Sequence, residues 1–257
     1  MVGLDEDDPA LADIQLLIEA LDSRQVLTST APRADTIGAV YNRCAGAVEA
    51  DLYINGADDV RIATPGWDVI LGQAAAEFAD EIGVIGFGQM PVPSALPVLE
   101  AVTQGLIEKM GYFMQDHTPY WWMDTWLFEI AVMIGRMRYA AIDVQCTGPL
   151  QTRGLREVSY WARFFDETRV HRRLIAENIL SGPDFLLPAE RRQELRNELE
   201  QTCAQLAQSN SILRDPAYAK QLEGAGYDAP EDERYRRVKE RSLKVLDELE
   251  RGGTRVA

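Results

Sequence analysis

Polar and apolar residues alternate in blocks over the first 90 positions, and the blocks read as strand and helix by turns. Met1-Val2-Gly3-Leu4 reads as the end of a strand that runs at once into Asp5-Glu6-Asp7-Asp8-Pro9. Asp8 suits a helix N-cap and Pro9 the first helical position. Leu11, Ile14, Leu17, Ile18 and Leu21 then recur at helical spacing, and residues 26–29 form a short strand candidate. Asp35 or Thr36 caps a second helix, with Ile37, Val40, Tyr41, Cys44 and Val48 on one face. Residues 51–55 make a strand that leads into Gly56-Ala57-Asp58-Asp59. Trp67, Ile70, Leu71, Phe78 and Ile82 mark a third helix, followed by a strand at 84–86. This alternation predicts an α/β layer built on a largely parallel sheet.

Beyond residue 90 the pattern loosens. Pro91, Pro93, Pro97 and Pro119 leave 91–122 irregular. Residues 123–134 are helical and stop at Gly135, and 138–145 read as a strand. From about Pro188 two long charged helices, 190–213 and 231–250, carry no strand signal. They fit a solvated appendage, a cap on the main domain or a helical contact between copies. The expected division is an α/β domain over 1–187 and a charged helical extension over 188–257.

Composition narrows the class. The chain has 257 residues, 46% hydrophobic and 26% charged, enough for one large core. Cys44, Cys146 and Cys203 show no paired spacing, so neither a disulfide framework nor a zinc ribbon is indicated. No apolar run reaches the roughly 18 to 20 residues of a membrane span, and no signal segment opens the chain; the expected location is the cytoplasm. The formal charge of −15 argues against a general nucleic-acid binder. Residues 1–60 hold 12 acidic and 3 basic side chains and 61–150 hold 10 and 4, whereas 151–257 hold 19 of each. The acidity therefore lies in the first 150 residues.

Several segments there could carry chemistry. A strand ending in adjacent carboxylates, Asp58-Asp59, can hold magnesium or manganese, hard cations that prefer oxygen; the plain alternative is a polar turn after a strand. Asp124, ahead of a helix, is either an N-cap or a base. Tyr120, Trp121, Trp122 and Trp126 form a dense aromatic group whose members either pack in the core or offer one face to a sugar ring. His117 lies in the loop before Asp124, placed to meet phosphate or acceptor or simply to sit on the surface. His171 falls in the arginine-rich run 169–173, a solvated helix face or a clamp. Gly83-Val-Ile-Gly-Phe-Gly88 has the wrong glycine order for a dinucleotide fingerprint.

The ordered set Asp58-Asp59-Val60, Thr64-Pro65-Gly66-Trp67-Asp68, Gly111-Tyr112-Phe113, Asp124-Thr125-Trp126, Glu129-Ile130-Ala131 and Gly135-Arg136 resembles nucleotide-sugar glycosyltransferases of the GT-A fold, family 2 type. The likeness covers roughly residues 2–180. It implies a mostly parallel sheet flanked by helices, with Ala57-Asp58-Asp59 as the DxD-like element. Asp59 would be the metal ligand and Asp58 would face ribose or sugar. Asp5 or Asp7 would lie near the base and ribose, and Arg33 would be suited to the base or diphosphate. Asp124 would be the general base, while Trp121, Trp122 and His117 would border the acceptor. In two respects the chain departs from the family. The strand and helix that usually precede the acidic loop are not present before Asp5, which implies an upstream start, a fragment or a rearranged sheet. Where a metal-binding histidine often follows the last strand stands Asp143-Val144-Gln145-Cys146, and a thiol is a soft ligand.

The resulting expectation is a glycosyltransferase that moves a sugar from a nucleotide-diphosphate donor to a glycan or other hydroxyl acceptor, assisted by a divalent cation and inverting the anomeric carbon. Two other readings stand beside it. One is a non-catalytic GT-A-like domain that binds nucleotide or carbohydrate or serves assembly, with a possible homo-oligomer through the C-terminal helices. The other is a sugar-nucleotide-forming nucleotidyltransferase.

Overall fold

A computed structural model of the chain describes residues 1–20, 26–56, 60–88, 96–119, 121–146, 157–209 and 233–251. The first half runs β1 (Val2–Asp5), α1 (Leu11–Ala20), β2 (Thr28–Ala31), α2 (Ile37–Gly46), β3 (Leu52–Ile54), β4 (Val60–Ile62), α3 (Trp67–Ala75) and β5 (Val84–Phe87). Then come β6 (Leu99–Thr103), α4 (Gln104–Met110), α5 (Met123–Met133), β7 (Met137–Tyr139) and β8 (Val144–Cys146). Four helices close the described chain: α6 (Val158–Glu167), α7 (Arg169–Ser181), α8 (Ala189–Ser209) and α9 (Glu233–Glu250).

The protein is α/β, but its sheets are small and mixed. β1 and β2 pair in parallel as a sheet of their own. The central sheet has the order β3-β6-β5-β7, with β6 antiparallel to both neighbours and β5 parallel to β7. β4 and β8 form a separate antiparallel pair. The expectation of a mostly parallel sheet is corrected by β6, which lies in the proline-bearing stretch read as irregular and enters antiparallel between β3 and β5. Pro97 sits just outside the strand, where a missing N–H costs no ladder bond. The strand expected at 138–145 is two strands of different sheets.

Every residue of β5 and β6 is buried, as a strand covered on both faces must be. Alternation sorts their side chains. Ile85, Phe87, Leu99 and Ala101 pack with Leu71 of α3, Phe78, Ile142 and Val144. Val84 and Val102 face the other way, into a larger cluster with α5 and the C-terminal helices.

That cluster joins the two halves of the chain. α8 contributes Leu195, Leu199, Cys203 and Leu206, and α9 contributes Tyr235, Val238 and Leu246, to the core that holds Trp126 and Ile130 of α5. In their described parts these helices therefore cap the α/β layer. Polar contacts register them: Trp161 Nε1 donates to Tyr235 Oη at 2.9 Å, and Arg241 and Arg237 of α9 pair with Asp35 ahead of α2.

Run 169–173 is a clamp rather than a solvated face. Arg172 donates to Glu129 of α5 at 2.5 Å with both side chains fully buried, and its Nη2 donates to the Phe165 carbonyl at 2.8 Å. The guanidinium lies over the rings of Phe165 and Trp126, 3.8 and 4.6 Å from their centroids. Burial draws its pKa down to about 10, against the pull of Glu129, so it stays charged at neutral pH. No helix among the described residues is long and apolar enough to cross a membrane.

Removing one partner of such a pair leaves a lone buried charge, which costs about 3–5 kcal/mol. Glu129→Gln is accordingly expected to lower unfolding stability by that order in urea melts. A loss below about 1 kcal/mol, the range of an exposed pair, would show that the clamp does not hold α5.

Candidate functional site

The exit of β3 is pinned on two sides just before Asp58-Asp59. Asn55 N–H donates to the Glu100 carbonyl at 3.1 Å, and Asn55 Oδ1 accepts the Glu100 N–H at 2.6 Å, so a side chain extends the β3–β6 ladder by one residue. From α2, Tyr41 Oη donates to the Gly56 carbonyl at 2.7 Å. Asp58 and Asp59 themselves lie outside the described residues, as does Tyr120. Among the described residues no three His, Cys, Asp or Glu side chains cluster as a metal site.

Glu100 is the side chain that sequence reasoning missed. It sits in β6 opposite Gly86 of β5, which in turn pairs with Tyr139 of β7. It is fully buried, and neither carboxyl oxygen has a hydrogen-bond partner among the described residues. Burial pushes its pKa well above the usual carboxylate range, and the charge of Asp124 pushes it further. The signal in the sequence was a single carboxylate inside the run Leu99-Glu-Ala-Val-Thr103, otherwise free of charge.

Asp124 occupies the first turn of α5, whose cap position belongs to Trp122 in the left-handed region at φ 68°. It is therefore not the N-cap. Its Oδ1 accepts the Thr125 N–H at 2.7 Å and lies 3.3 Å from Thr125 Oγ1. Burial raises its pKa and the Thr125 bonds oppose the rise. The charge of Asp124 thus acts on Glu100, 24 positions away in the chain.

The loop ahead of Asp124 is held by α2. Asn42 Oδ1 accepts the N–H groups of Phe113 and Met114 at 2.9 and 2.8 Å, while its amide donates to the Met114 carbonyl at 2.7 Å. At Gly38 any Cβ would come within 2.2 Å of the Gln115 carbonyl oxygen, so α2 can approach this closely only without a side chain there.

Asp5, Asp7 and Arg33 also meet, at the carboxyl ends of β1 and β2. Arg33 Nε lies 2.9 Å from Asp7 and 3.1 Å from Asp5. The guanidinium expected to face a base or diphosphate is thus engaged by two carboxylates of the chain itself.

The aromatic group divides. Trp122 is only 5% exposed and stacks on Phe165 at 6.2 Å, which places it in the core. Trp121 is half-buried, edge-on to Trp122 at 5.8 Å. His117, with a side chain 25% exposed, lies 6.1 Å from the Trp126 ring and 3.9 Å from Asp116. Burial lowers its pKa, and Asp116 opposes the fall. His171 is buried, its Nδ1 has no partner among the described residues, and its pKa falls to about 4, through burial first and then the charges of His117 and Arg172. The charge of one histidine thus acts on the other, which their separation of 54 positions did not show.

A cleft of about 750 Å³ opens at the start of β3, lined among others by Asn42, Glu49, Asp51, Glu108 and Tyr112. Asp51 precedes β3 and Asn55 follows it, so this cleft lies at the end of the strand opposite Asn55. Compared with known proteins, the chain matches no family model, no curated protein and no solved structure.

His171 gives a stability test with a fixed sign. Its folded pKa is depressed, so the unfolded chain takes up a proton near pH 6.5 while the folded one does not until about 4. Stability is full above pH 6.5 and falls as pH drops toward 4. In His171→Leu this fall is expected to be shallower than in the wild type, as read by urea melts at pH 7, 5.5 and 4.5. Parallel curves would show that His171 titrates normally.

Proposed function

We propose that the chain is a metal-dependent glycosyltransferase that uses a nucleotide-diphosphate sugar. The observation that supports this reading is Glu100, a buried carboxyl without a hydrogen-bond partner among the described residues, on the strand bonded through Asn55 to the one that leads into Asp58-Asp59. Carboxyls held in distinct environments are what an acid–base site needs. The ordered motifs from Asp58 to Arg136 supply the reaction class.

In this reading the acceptor hydroxyl loses its proton to the Asp124 carboxylate. The oxygen forms a bond to the anomeric carbon while the bond from that carbon to the diphosphate oxygen breaks, and its electron pair leaves with the nucleoside diphosphate. Attack from the opposite face inverts the anomeric centre, as the resemblance implies. Burial makes Asp124 a stronger base than an exposed aspartate, and the first turn of α5 favours its ionised form. Trp121, half-buried beside the loop, would cover an apolar sugar face. Carboxylate oxygens such as those of Asp58 and Asp59 would suit magnesium or manganese over softer metals. Asp59 would hold the ion, whose charge offsets that of the leaving diphosphate.

The pairing of Arg33 with Asp5 and Asp7 favours a second reading, a GT-A-like domain that binds or assembles without catalysis. Calorimetry with UDP and manganese, together with turnover, separates the two.

Nucleoside-diphosphate release from a panel of nucleotide sugars with manganese tests the main reading. Asp124→Asn is expected to lower kcat/KM by about 10²–10⁴-fold, and Asp59→Ala to remove the stimulation by manganese. The acid limb of the wild type should lie above the usual aspartate range, because burial raises Asp124. Release that is unchanged in both variants overturns the assignment.

A further inference from the structure

We propose that the cleft at the start of β3 binds a flexible organic cation with two or more separated ammonium groups, of the polyamine type. The site lies at the end of β3 opposite Asn55 and stands apart from the glycosyltransferase reading.

Its chemistry comes from what borders it. A volume of about 750 Å³ falls in the range of small-molecule sites. Glu49, Asp51 and Glu108 line the cleft, and no Lys, Arg or His is among the lining residues. Tyr53, Tyr112 and Phe113 supply apolar surface, with the Tyr53 and Phe113 rings packed 5.8 Å apart. The last turn of α2 also borders the cleft, at Ala45 and Gly46, and a helix C-terminus carries partial negative charge. Arg43, the basic residue of that turn, donates instead to the Leu4 and Pro32 carbonyls. Aromatic faces attract ammonium groups and cover the methylenes beside them. Acidic walls over an aromatic floor thus select a cation with an apolar body.

The spacing of the charges favours an extended cation over a metal ion. No three His, Cys, Asp or Glu side chains among the described residues come together as a metal site. The three carboxylates instead stand on separate walls: Glu49 and Asp51 between α2 and β3, Glu108 on α4. A hard metal ion needs several oxygens at once, whereas a polyamine meets carboxylates one at a time along its length.

The protein's own bonds set the walls in place. Tyr53 Oη donates to the Val48 carbonyl at 3.0 Å and accepts the Ala50 N–H at 3.2 Å, which bolts down the loop that carries Glu49. The Asp51 carbonyl accepts the Gln104 N–H at 3.0 Å, and the Gln104 amide holds Glu108 Oε1 at 2.9 Å. Across the cleft, Asn42 holds the backbone of Phe113. A site built this way loses little entropy when it fills.

Calorimetric titration of the full chain with spermidine at low salt tests the site. Saturable binding of one spermidine per chain is expected, tighter than that of butylamine, which has a single ammonium group. Each exposed pair is worth about 1.5- to 5-fold, so the triple variant Glu49→Gln, Asp51→Asn, Glu108→Gln should weaken binding by about 3- to 100-fold. A control variant, Asp13→Asn, Glu19→Gln, Glu198→Gln, removes the same charge from exposed positions elsewhere and should leave the affinity unchanged. On the wild type, amide shifts induced by spermidine should gather at residues 49–53 and 111–113, a readout that needs no variant to fold. No binding, equal weakening in both variants, or shifts spread over the whole surface overturn the site. Butylamine that binds as tightly as spermidine overturns the need for separated charges. Magnesium that displaces spermidine from the cleft at equal ionic strength marks a metal site and overturns the organic cation.

Discussion

The buried ion pair between Glu129 of α5 and Arg172 of α7 is the constraint on which the rest of the molecule turns. Both side chains are fully buried, and Arg172 is also stacked between Phe165 and Trp126. A pair of this kind does little for net stability, because desolvation offsets most of the attraction. Its force is in specificity: any arrangement that separates the two leaves a buried charge alone, at a cost of about 3–5 kcal/mol in a fold whose whole stability is typically about 5–15 kcal/mol. Arg136, just past the end of α5, adds a second lock by donating to Asp80 at 2.7 Å, which also accepts the Leu186 N–H. With its middle and its far end fixed, α5 can lie on the sheet in one register, which sets the place of Asp124 in its first turn.

The same logic relates the two halves of the chain. The acidic first 150 residues form the strands and the candidate site, whereas the charge-balanced remainder supplies Arg172 to Glu129, and Arg237 and Arg241 to Asp35. The C-terminal helices thus neutralise selected carboxylates away from Glu100 and Asp124. At those two no cation acts among the described residues, and both carboxyls are raised. This contrast between paired and unpaired acids distinguishes the candidate site from the rest of an acidic surface.

Much of the local structure was legible in the sequence. Thr36 caps α2 with its hydroxyl oxygen accepting the Ala39 N–H, and α5 ends where Gly135 takes a positive φ. The meeting of Asp5, Asp7 and Arg33 follows from their places at the ends of neighbouring parallel strands. What stayed hidden was non-local. The antiparallel entry of β6 has no signature in a window of ten residues, since a buried strand looks alike in either direction. Trp121 and Trp122 are adjacent and identical in type, yet the left-handed backbone at Trp122 helps to send one into the core and leave the other half-buried.

By itself, the sequence determined the α/β alternation, the caps and breaks of its helices, and the carboxylates available for chemistry, because capping, periodicity and side-chain type act over a few residues. Only the tertiary structure decided that the sheets are mixed, that Arg172 is a buried clamp, and that Glu100 is a buried acid without a hydrogen-bond partner among the described residues. Burial and ion pairing depend on distance in space, and the chain brings Glu129 and Arg172 together from 43 positions apart.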